Sequence, residues 1–132
     1  MLLAKTYLDR STIHGVGLFA AERIRKGTVV WRLNPLIDIQ LSAAQLASLE
    51  GPSREQVEKY VYLDRVLGTY VLCGDDARFF NHSDHPNCHD FPDERGGTTV
   101  AARDIDAGEE LTSDYSFFDA NFVPQHYAGP KR

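Results

Sequence analysis

Four short segments with a strand-like composition set the fold class of this chain. They lie at residues 2–8, 29–33, 69–72 and 98–102, and turn-forming residues separate them. Short runs rich in β-forming residues between turns are typical of β-strands. The Gly-Gly pair at 96–97 predicts a hairpin that leads into the last segment. The chain is therefore predicted to be mostly β.

The insert at residues 36–67 differs, because it carries two helix-start signals. Ser42 is followed three residues later by Gln45, and Ser53 by Gln56. In this pattern, a capping box, the two side chains satisfy backbone amides in the first turn of a helix. A Gly-Pro pair between the two signals is expected to separate two short helices. The residues expected to face inward are Leu46 and Leu49 in the first helix, and Val57, Tyr60 and Val61 in the second, which is expected to begin near Arg54.

The composition fits one globular domain that avoids nucleic acid. The 132 residues are enough for a single core, and the balance of 42% hydrophobic and 25% charged residues is ordinary for a folded protein. The formal charge of −5 would repel a phosphate backbone and attract a basic partner. We therefore expect one domain over residues 1–132, with a basic protein or peptide as partner and no direct contact with nucleic acid.

The start of the chain and its cysteines indicate an intracellular protein. Lys5, Asp9 and Arg10 interrupt the stretch where a secretory signal needs an apolar run, and no run reaches membrane-spanning length. Cys73 and Cys88 are the only cysteines, and without a secretory signal they are better interpreted as buried thiols than as a disulfide. We expect a cytoplasmic protein, or a nuclear one in a eukaryote, with no membrane partner. For the oligomeric state, the sequence is compatible with both a monomer and a homodimer.

Three polar clusters, far apart in the sequence, are the candidates for function. They are HGVGLFA at 14–20, ARFFNHSDHPNC at 77–88 and AGEELTSDY at 107–115. The Gly-x-Gly of the first cluster predicts a tight turn as readily as a ligand loop, and it lacks the third glycine of the dinucleotide-binding fingerprint. Each cluster alone is therefore weak support for a site.

The second cluster also offers ligands for a metal ion. His82, His85, Cys88 and His89 have a spacing that could supply zinc. However, adjacent Cys88 and His89 would point to opposite faces of a strand, and Pro86 restricts the loop, so zinc is not favoured. A structural loop, tied down by its Asn and His side chains, is the alternative. A Ser-His-Asp hydrolase is also disfavoured, because the chain has no G-x-S-x-G turn.

Taken together and in this order, the clusters resemble the SET-domain family of S-adenosylmethionine-dependent protein lysine methyltransferases. That family has a Gly-x-Gly loop, a variable insert, the pattern R-F-x-N-H-S-x-x-P-N, a hairpin, and then G-E-E-L-x-x-D-Y. The matching stretches here are residues 15–17, 78–87 and 108–115, and the resemblance covers about residues 13–118. It implies the SET-domain, β-clip-like fold: small curved sheets with a C-terminal pseudoknot and a short helical insert.

The resemblance also implies roles for particular residues. S-adenosylmethionine would be the methyl donor and S-adenosylhomocysteine the product, with no metal. Tyr115 would be the catalytic residue, which aligns the donor and a lysine amine for in-line displacement. The side chain of Asn81 would bind the amino-acid part of the cofactor, and the backbone of His82 would bind its adenine. The implied cofactor-binding residues are Gly15, Val16, Gly17, Asn81, His82 and Tyr115, and the implied channel residues are Tyr70, Ser113, Phe117 and Phe118, with Phe122 and Tyr127 as further candidates for the channel or a lid.

The chain departs from many eukaryotic relatives in ways that bear on metal and product. Asp84 stands where they carry cysteine, and the tail at 116–132 is aromatic rather than cysteine-rich, so the resemblance implies no structural zinc. Ser113 stands where relatives often carry phenylalanine or tyrosine, and the extra room favours multiple methylation. The implied function is lysine N-methylation of a basic protein. The alternative is a non-catalytic module that keeps the fold and binds a basic peptide.

Overall fold

The computed structural model describes residues 1–123, and in this part of the chain short β-strands predominate. The strands are β1 (Thr6–Arg10), β2 (Val16–Ala20), β3 (Val29–Arg32), β4 (Ile39–Leu41), β5 (Tyr62–Leu63), β6 (Tyr70–Leu72), β7 (Asn81–His82), β8 (Cys88–Phe91), β9 (Thr98–Ala101) and β10 (Thr112–Ser113). The helices are α1 (Ala43–Ala47) and α2 (Gly51–Tyr60), with 3₁₀ turns at Asp76–Phe79 and Tyr115–Phe117. The mostly-β prediction is confirmed.

The strands form four small sheets. β1 and β2 make an antiparallel hairpin, and β3-β9-β8 and β4-β6-β5 are antiparallel three-stranded sheets. β7 and β10 pair in parallel. The predicted hairpin is present, since β8 and β9 flank the Gly-Gly pair.

The first predicted strand is displaced along the chain. It was expected at residues 2–8, whereas β1 begins at Thr6. Leu2 instead forms an isolated bridge to Trp31, and the N–H of Leu3 donates to the carbonyl of Val30 at 2.9 Å. The chain therefore lies along β3 first and pairs with β2 only afterwards, which divides the apolar run between two partners.

One hydrophobic core lies between the sheets. Its members come from β2, β3, β6, β8 and β9, from the first 3₁₀ turn and from the loops between these elements. The largest fully buried side chains in this cluster are Leu18, Val30, Val71, Cys88, Ile105 and Leu111. Burying each large aliphatic side chain contributes about 1.5–3 kcal/mol, so this cluster holds the small sheets together.

The two helices of the insert begin in different ways. At α1 the predicted capping box is present: the Ser42 hydroxyl accepts from the N–H of Gln45, and the Gln45 side chain accepts from the N–H of Ser42. At α2 the prediction is wrong, because the helix begins at Gly51 and Ser53 lies inside it. Pro52 lies in the first turn of this helix rather than after the end of one, since the first turn needs no donor from it and its fixed φ suits a helix.

The insert is less buried than predicted. Leu46 is buried as expected, but Leu49, Val57, Tyr60 and Val61 are only half-buried. None of the ten residues of α2 is buried. The insert therefore lies on the surface, with one side against the rest of the domain.

The late segment that contains β10 is bonded to both ends of the loop after β7. The N–H of Ser83 donates to the carbonyl of Ser113 at 3.0 Å. The N–H of Thr112 donates to Asn87 Oδ1 at 2.9 Å, and Asn87 Nδ2 donates to the carbonyl of Glu110 at 2.8 Å. These contacts are those expected of the pseudoknot that the resemblance implies.

The two cysteines are buried free thiols, as predicted. Burial raises the pKa of both Cys73 and Cys88 to about 12, so neither is a thiolate at neutral pH. Within residues 1–123, the helices are all too short or too polar to cross a lipid bilayer.

Candidate functional site

The loop between β1 and β2 is held in place by one serine. Ser11 Oγ accepts from the backbone N–H of Ile13 and of His14, and it donates to Glu110 Oε1 at 2.7 Å. Gly15 closes the loop with a left-handed φ of +48°, where glycine is favoured. The Gly-x-Gly turn is thus fixed to the late segment that carries Glu110.

Gly17 is required for a different reason. A Cβ at this position would lie 2.4 Å from Glu110 Oε2 and 3.1 Å from the Cβ of Ser11. The carboxylate of Glu110 therefore occupies the space that any larger residue at 17 would need. Sequence reasoning assigned this glycine to close approach of a ligand, and the structure adds a contact within the protein.

Asn81 is fully buried and lies at the centre of a polar cluster whose other members are only partly buried or exposed. Its Nδ2 donates to the carbonyl of His14 at 3.0 Å and to Glu110 Oε2 at 2.8 Å, and it lies 3.4 Å from the carbonyl of Val16. Three acceptors from two distant parts of the chain thus converge on one point. Such a set of acceptors suits an ammonium group as well as an amide.

Both ring nitrogens of His82 are hydrogen-bonded within the protein, and these bonds define its tautomer. The backbone N–H of Tyr115 donates to Nδ1 at 3.1 Å, so Nδ1 carries the lone pair and Nε2 carries the proton. Nε2 in turn lies 2.9 Å from Asp84 Oδ1, which accepts from it. The buried ring packs against Phe122, with the ring centroids 4.6 Å apart. The imidazole therefore joins β7 to the segment after β10.

Tyr115 begins the second 3₁₀ turn, which Asp114 caps by accepting from the N–H of Ser116 at 2.9 Å. The Tyr115 hydroxyl donates to the carbonyl of Phe80. Its ring contacts those of His82 and Phe118, with centroids 5.5 and 5.4 Å away. The phenol is therefore fixed at both ends, between the Asn81 cluster and a neighbouring cavity.

That cavity has a volume of about 400 Å³, and most of the predicted channel residues line it, although one does not. Tyr70, Ser113, Tyr115 and Phe118 line it. Phe117 is not among its described lining residues and is 52% exposed. Phe117 is the last residue of the 3₁₀ turn, and Phe118 caps the turn with a different backbone conformation.

Sequence reasoning missed several residues of this cavity. Trp31 and Asp90 line it from the β3-β9-β8 sheet, and Arg78 lies over the ring of Tyr60 at 5.1 Å. Burial raises the pKa of Asp90 to about 6, although the hydrogen bond from Thr99 and the nearby hydroxyl of Ser113 lower it. Asp90 lies on β8 beside a hairpin, where a carboxylate is common, so no local pattern in the sequence marks it.

The histidines and cysteines do not gather into a metal centre in residues 1–123, where no group of three or more His, Cys, Asp or Glu side chains could hold an ion. On β8, Cys88 is buried and His89 is exposed, as expected for adjacent residues of a strand. The absence of zinc stays a prediction. Tyr127 and the rest of the tail beyond residue 123 lie outside the described residues, so the lid predicted there also stays a prediction.

Comparison with known proteins identifies clear relatives. Residues 15–116 match the family model described as SET domain. Histone-lysine N-methyltransferase 2D of Homo sapiens is 34% identical over 131 positions, which cover 91% of this chain and 2% of that protein. Histone-lysine N-methyltransferase trr of Drosophila melanogaster is 35% identical over 116 positions, which cover 84% of this chain and 5% of that protein. This chain thus spans only a small part of the length of these relatives.

A solved structure shares the fold. The crystal structure of a Plasmodium falciparum protein named for histone methyltransferase activity matches with a TM-score of 0.61 at 20% identity. The match covers 86% of this chain and 95% of that one. At this identity the likeness concerns the fold alone, and it confirms the arrangement of small sheets that the sequence resemblance implied.

Proposed function

Because this chain belongs to the SET domain family, we propose that it is a protein-lysine N-methyltransferase that uses S-adenosylmethionine. One observation carries the proposal: the contact between His82 and Tyr115 joins the acceptor cluster around Asn81 to the cavity beside it. A transfer between two ligands needs a binding site for each of them and a point at which the two sites meet. Relatives that are 34% and 35% identical are named histone-lysine N-methyltransferases, which supports the same reaction.

The residues around Asn81 fit the amino-acid part of the cofactor. The carbonyls of His14 and Val16 and the carboxylate of Glu110 are three acceptors, and an ammonium group offers three donors. A Cβ built at Gly15 meets nothing within 4 Å, so this side of the loop has room. When bound, S-adenosylmethionine supplies an electrophilic methyl group on a sulfonium sulfur. The chain's own task is to orient the two reactants and to exclude water.

Tyr115 is proposed to set the line of approach. Its hydroxyl is fixed by the Phe80 carbonyl and its backbone by His82, so the phenol loses little freedom when ligands bind. Carbonyl and hydroxyl oxygens at the mouth of the cavity can hold a polarised methyl group through weak C–H···O contacts. The role needs no proton transfer by Tyr115 or His82.

The apolar part of the cavity is proposed to favour the neutral form of the attacking amine. A lysine with an ordinary pKa of about 10.4 costs roughly 4–5 kcal/mol to deprotonate at pH 7. Phe80, Phe118 and Tyr70 surround the cavity with rings, and burial among them lowers the pKa of an amine. The proposed chemistry is therefore in-line displacement by a neutral amine.

The charges of the cavity favour a basic substrate. Its described lining includes four carboxylates against two cations: Glu58, Asp64, Asp90 and Asp119, with Lys59 and Arg78. An excess of carboxylates in the lining, on a chain of net charge −5, raises the encounter rate with a lysine-rich segment. We propose a basic protein inside the cell as the acceptor, with a cytoplasmic location, or a nuclear one in a eukaryote.

The test is transfer of a labelled methyl group from S-adenosylmethionine to histones and other basic proteins, compared between the unaltered chain, Tyr115→Phe and Tyr7→Phe. Tyr7 is a matched control, because it lies on β1, is 40% exposed and does not line the cavity. We expect Tyr115→Phe to lose at least about tenfold in rate while Tyr7→Phe keeps it. Binding of S-adenosylmethionine without transfer to any protein would instead support the non-catalytic module.

A further inference from the structure

Three side chains form a row across the sheet that faces the cavity. Thr99 on β9 lies opposite Trp31 on β3 and opposite Asp90 on β8. Directly opposed side chains on one face of a sheet are about 5 Å apart. The register of β3 shifts between Val29 and Trp31, and such bulges re-aim a side chain. The shift brings Trp31 onto the same row as the other two.

Two polar atoms of this row are buried without a partner among the described residues. They are Oδ2 of Asp90 and Nε1 of Trp31, and Trp31 is only 6% exposed. The other oxygen of Asp90 accepts from Thr99 Oγ1 at 2.6 Å, so the carboxylate is oriented by the protein. Native structures contain few buried polar atoms without a partner, and each one calls for an explanation. Both atoms here belong to residues that line the cavity.

Asp90 lines the cavity together with Ser113 and Tyr115. A serine at position 113 takes up less of the space beside the carboxylate than an aromatic side chain would. Burial raises the pKa of Asp90 to about 6, so the group still carries a negative charge at neutral pH. A buried charge with an empty acceptor position favours a cation that brings its own donors.

We propose that Asp90 binds the ammonium group of the lysine side chain that enters this cavity. The identity of that ligand rests on the proposed function, and the binding site itself rests on the row in the sheet. Asp90 acts as a binding residue and not as a base, because a carboxylate partner stabilises the protonated amine. Removing it should therefore raise KM for the protein substrate, while kcat stays the same or rises.

The single tryptophan of the chain provides the readout. The indole N–H signal of Trp31 in a ¹⁵N-labelled sample, and its fluorescence, should shift when n-butylammonium chloride is titrated at constant ionic strength. In Asp90→Asn, which is isosteric and can keep the bond from Thr99, the dissociation constant should rise about tenfold or more. Neutral n-butanol should bind both proteins equally.

The pH dependence adds a second readout. Binding of n-butylammonium should weaken as the pH falls through about 6, since protonation removes the acceptor charge. The groups that face Asp90 are Asp114, Tyr62 and Cys88, and the raised pKa values of Tyr62 and Cys88 keep both neutral in this range. In Asp90→Asn the pH dependence should disappear.

The matched control is Glu94→Gln, which removes an exposed carboxylate from the same hairpin without touching the cavity. The proposal would be overturned if the unaltered chain and Asp90→Asn bound n-butylammonium with equal affinity. It would also be overturned if the indole signal of the unaltered chain did not shift, or if Glu94→Gln lost as much affinity as Asp90→Asn. None of these measurements uses the cofactor. Amine binding without methyl transfer would refute the proposed function alone, and transfer with an unchanged KM in Asp90→Asn would refute Asp90 alone.

Discussion

Replacing Asp90 with asparagine should stabilise the folded protein at neutral pH, and the gain should shrink as the pH falls. Burial raises the pKa of this carboxyl from its ordinary value of 3.8 to about 6. A folded state with the higher pKa binds the proton more tightly, so protonation favours folding. The stability associated with Asp90 is therefore complete below pH 3.8 and lost as the pH rises through about 6.

The magnitude follows from the two pKa values. A rise from 3.8 to about 6 corresponds to about 3 kcal/mol of destabilisation when the carboxylate is fully charged. At pH 5, one unit below the folded-state pKa, about 1.4 kcal/mol of this is recovered. Asn cannot titrate, so the difference in free energy of unfolding between Asp90→Asn and the unaltered chain should fall by about that amount between pH 7.5 and pH 5.

Urea unfolding followed by the fluorescence of the single tryptophan measures this difference. The difference between the two proteins is the useful quantity, because other carboxylates titrate equally in both. Glu94→Gln should show almost no difference at either pH, since that side chain is exposed. A difference that does not change with pH, or an Asp90→Asn protein that is less stable at pH 7.5, would refute the reasoning.

Three other substitutions test the geometry of the site. Gly17→Ala should lower the free energy of unfolding by about 2–4 kcal/mol, because the new Cβ displaces the Glu110 carboxylate from its bonds to Ser11 and Asn81. In a chain that already carries Glu110→Ala, the effect of Gly17→Ala should be smaller, and an equal effect would contradict this explanation. Ser113→Tyr fills the cavity beside Tyr115 and should shift product from multiply methylated to monomethylated lysine in mass spectra; monomethyl product from the unaltered chain under exhaustive turnover would contradict the premise. Ser42→Ala removes the α1 cap and should cost about 1 kcal/mol without changing the affinity for S-adenosylmethionine.

The features that the sequence predicted correctly depend on neighbours in the chain. The capping box at Ser42 needs only a residue three positions away, and the hairpin around 96–97 needs only its own glycines. The second cap failed although its pattern was the same. Pro52 is a good first-turn residue, and its effect outweighed the Ser53 pattern. Local signals therefore predicted which elements form better than where each begins.

The site depends on contacts between distant residues, so periodicity could not supply it. Asn81 reaches carbonyls 65 and 67 positions away, and Ser11 reaches Glu110 across 99 positions. Only the resemblance to a family brought these clusters together before the structure did. Trp31 and Asp90 were missed even so, because their shared row depends on a shift in the register of β3 that no residue in the sequence marks.

The free energy by which the Asp90 charge destabilises the fold also sets the limit on what Asp90 can contribute to binding an amine. A buried carboxylate with one oxygen that lacks a hydrogen bond destabilises the empty protein by about 3 kcal/mol at neutral pH, and a cation that donates to that oxygen can recover up to that amount on binding. About 3 kcal/mol corresponds to a factor of about a hundred in affinity, which is an upper limit for what Asp90 contributes to holding an amine. Stability and amine affinity should therefore change in opposite directions in Asp90→Asn. A variant that became more stable and bound n-butylammonium as tightly as before would show that the buried charge serves no cationic ligand.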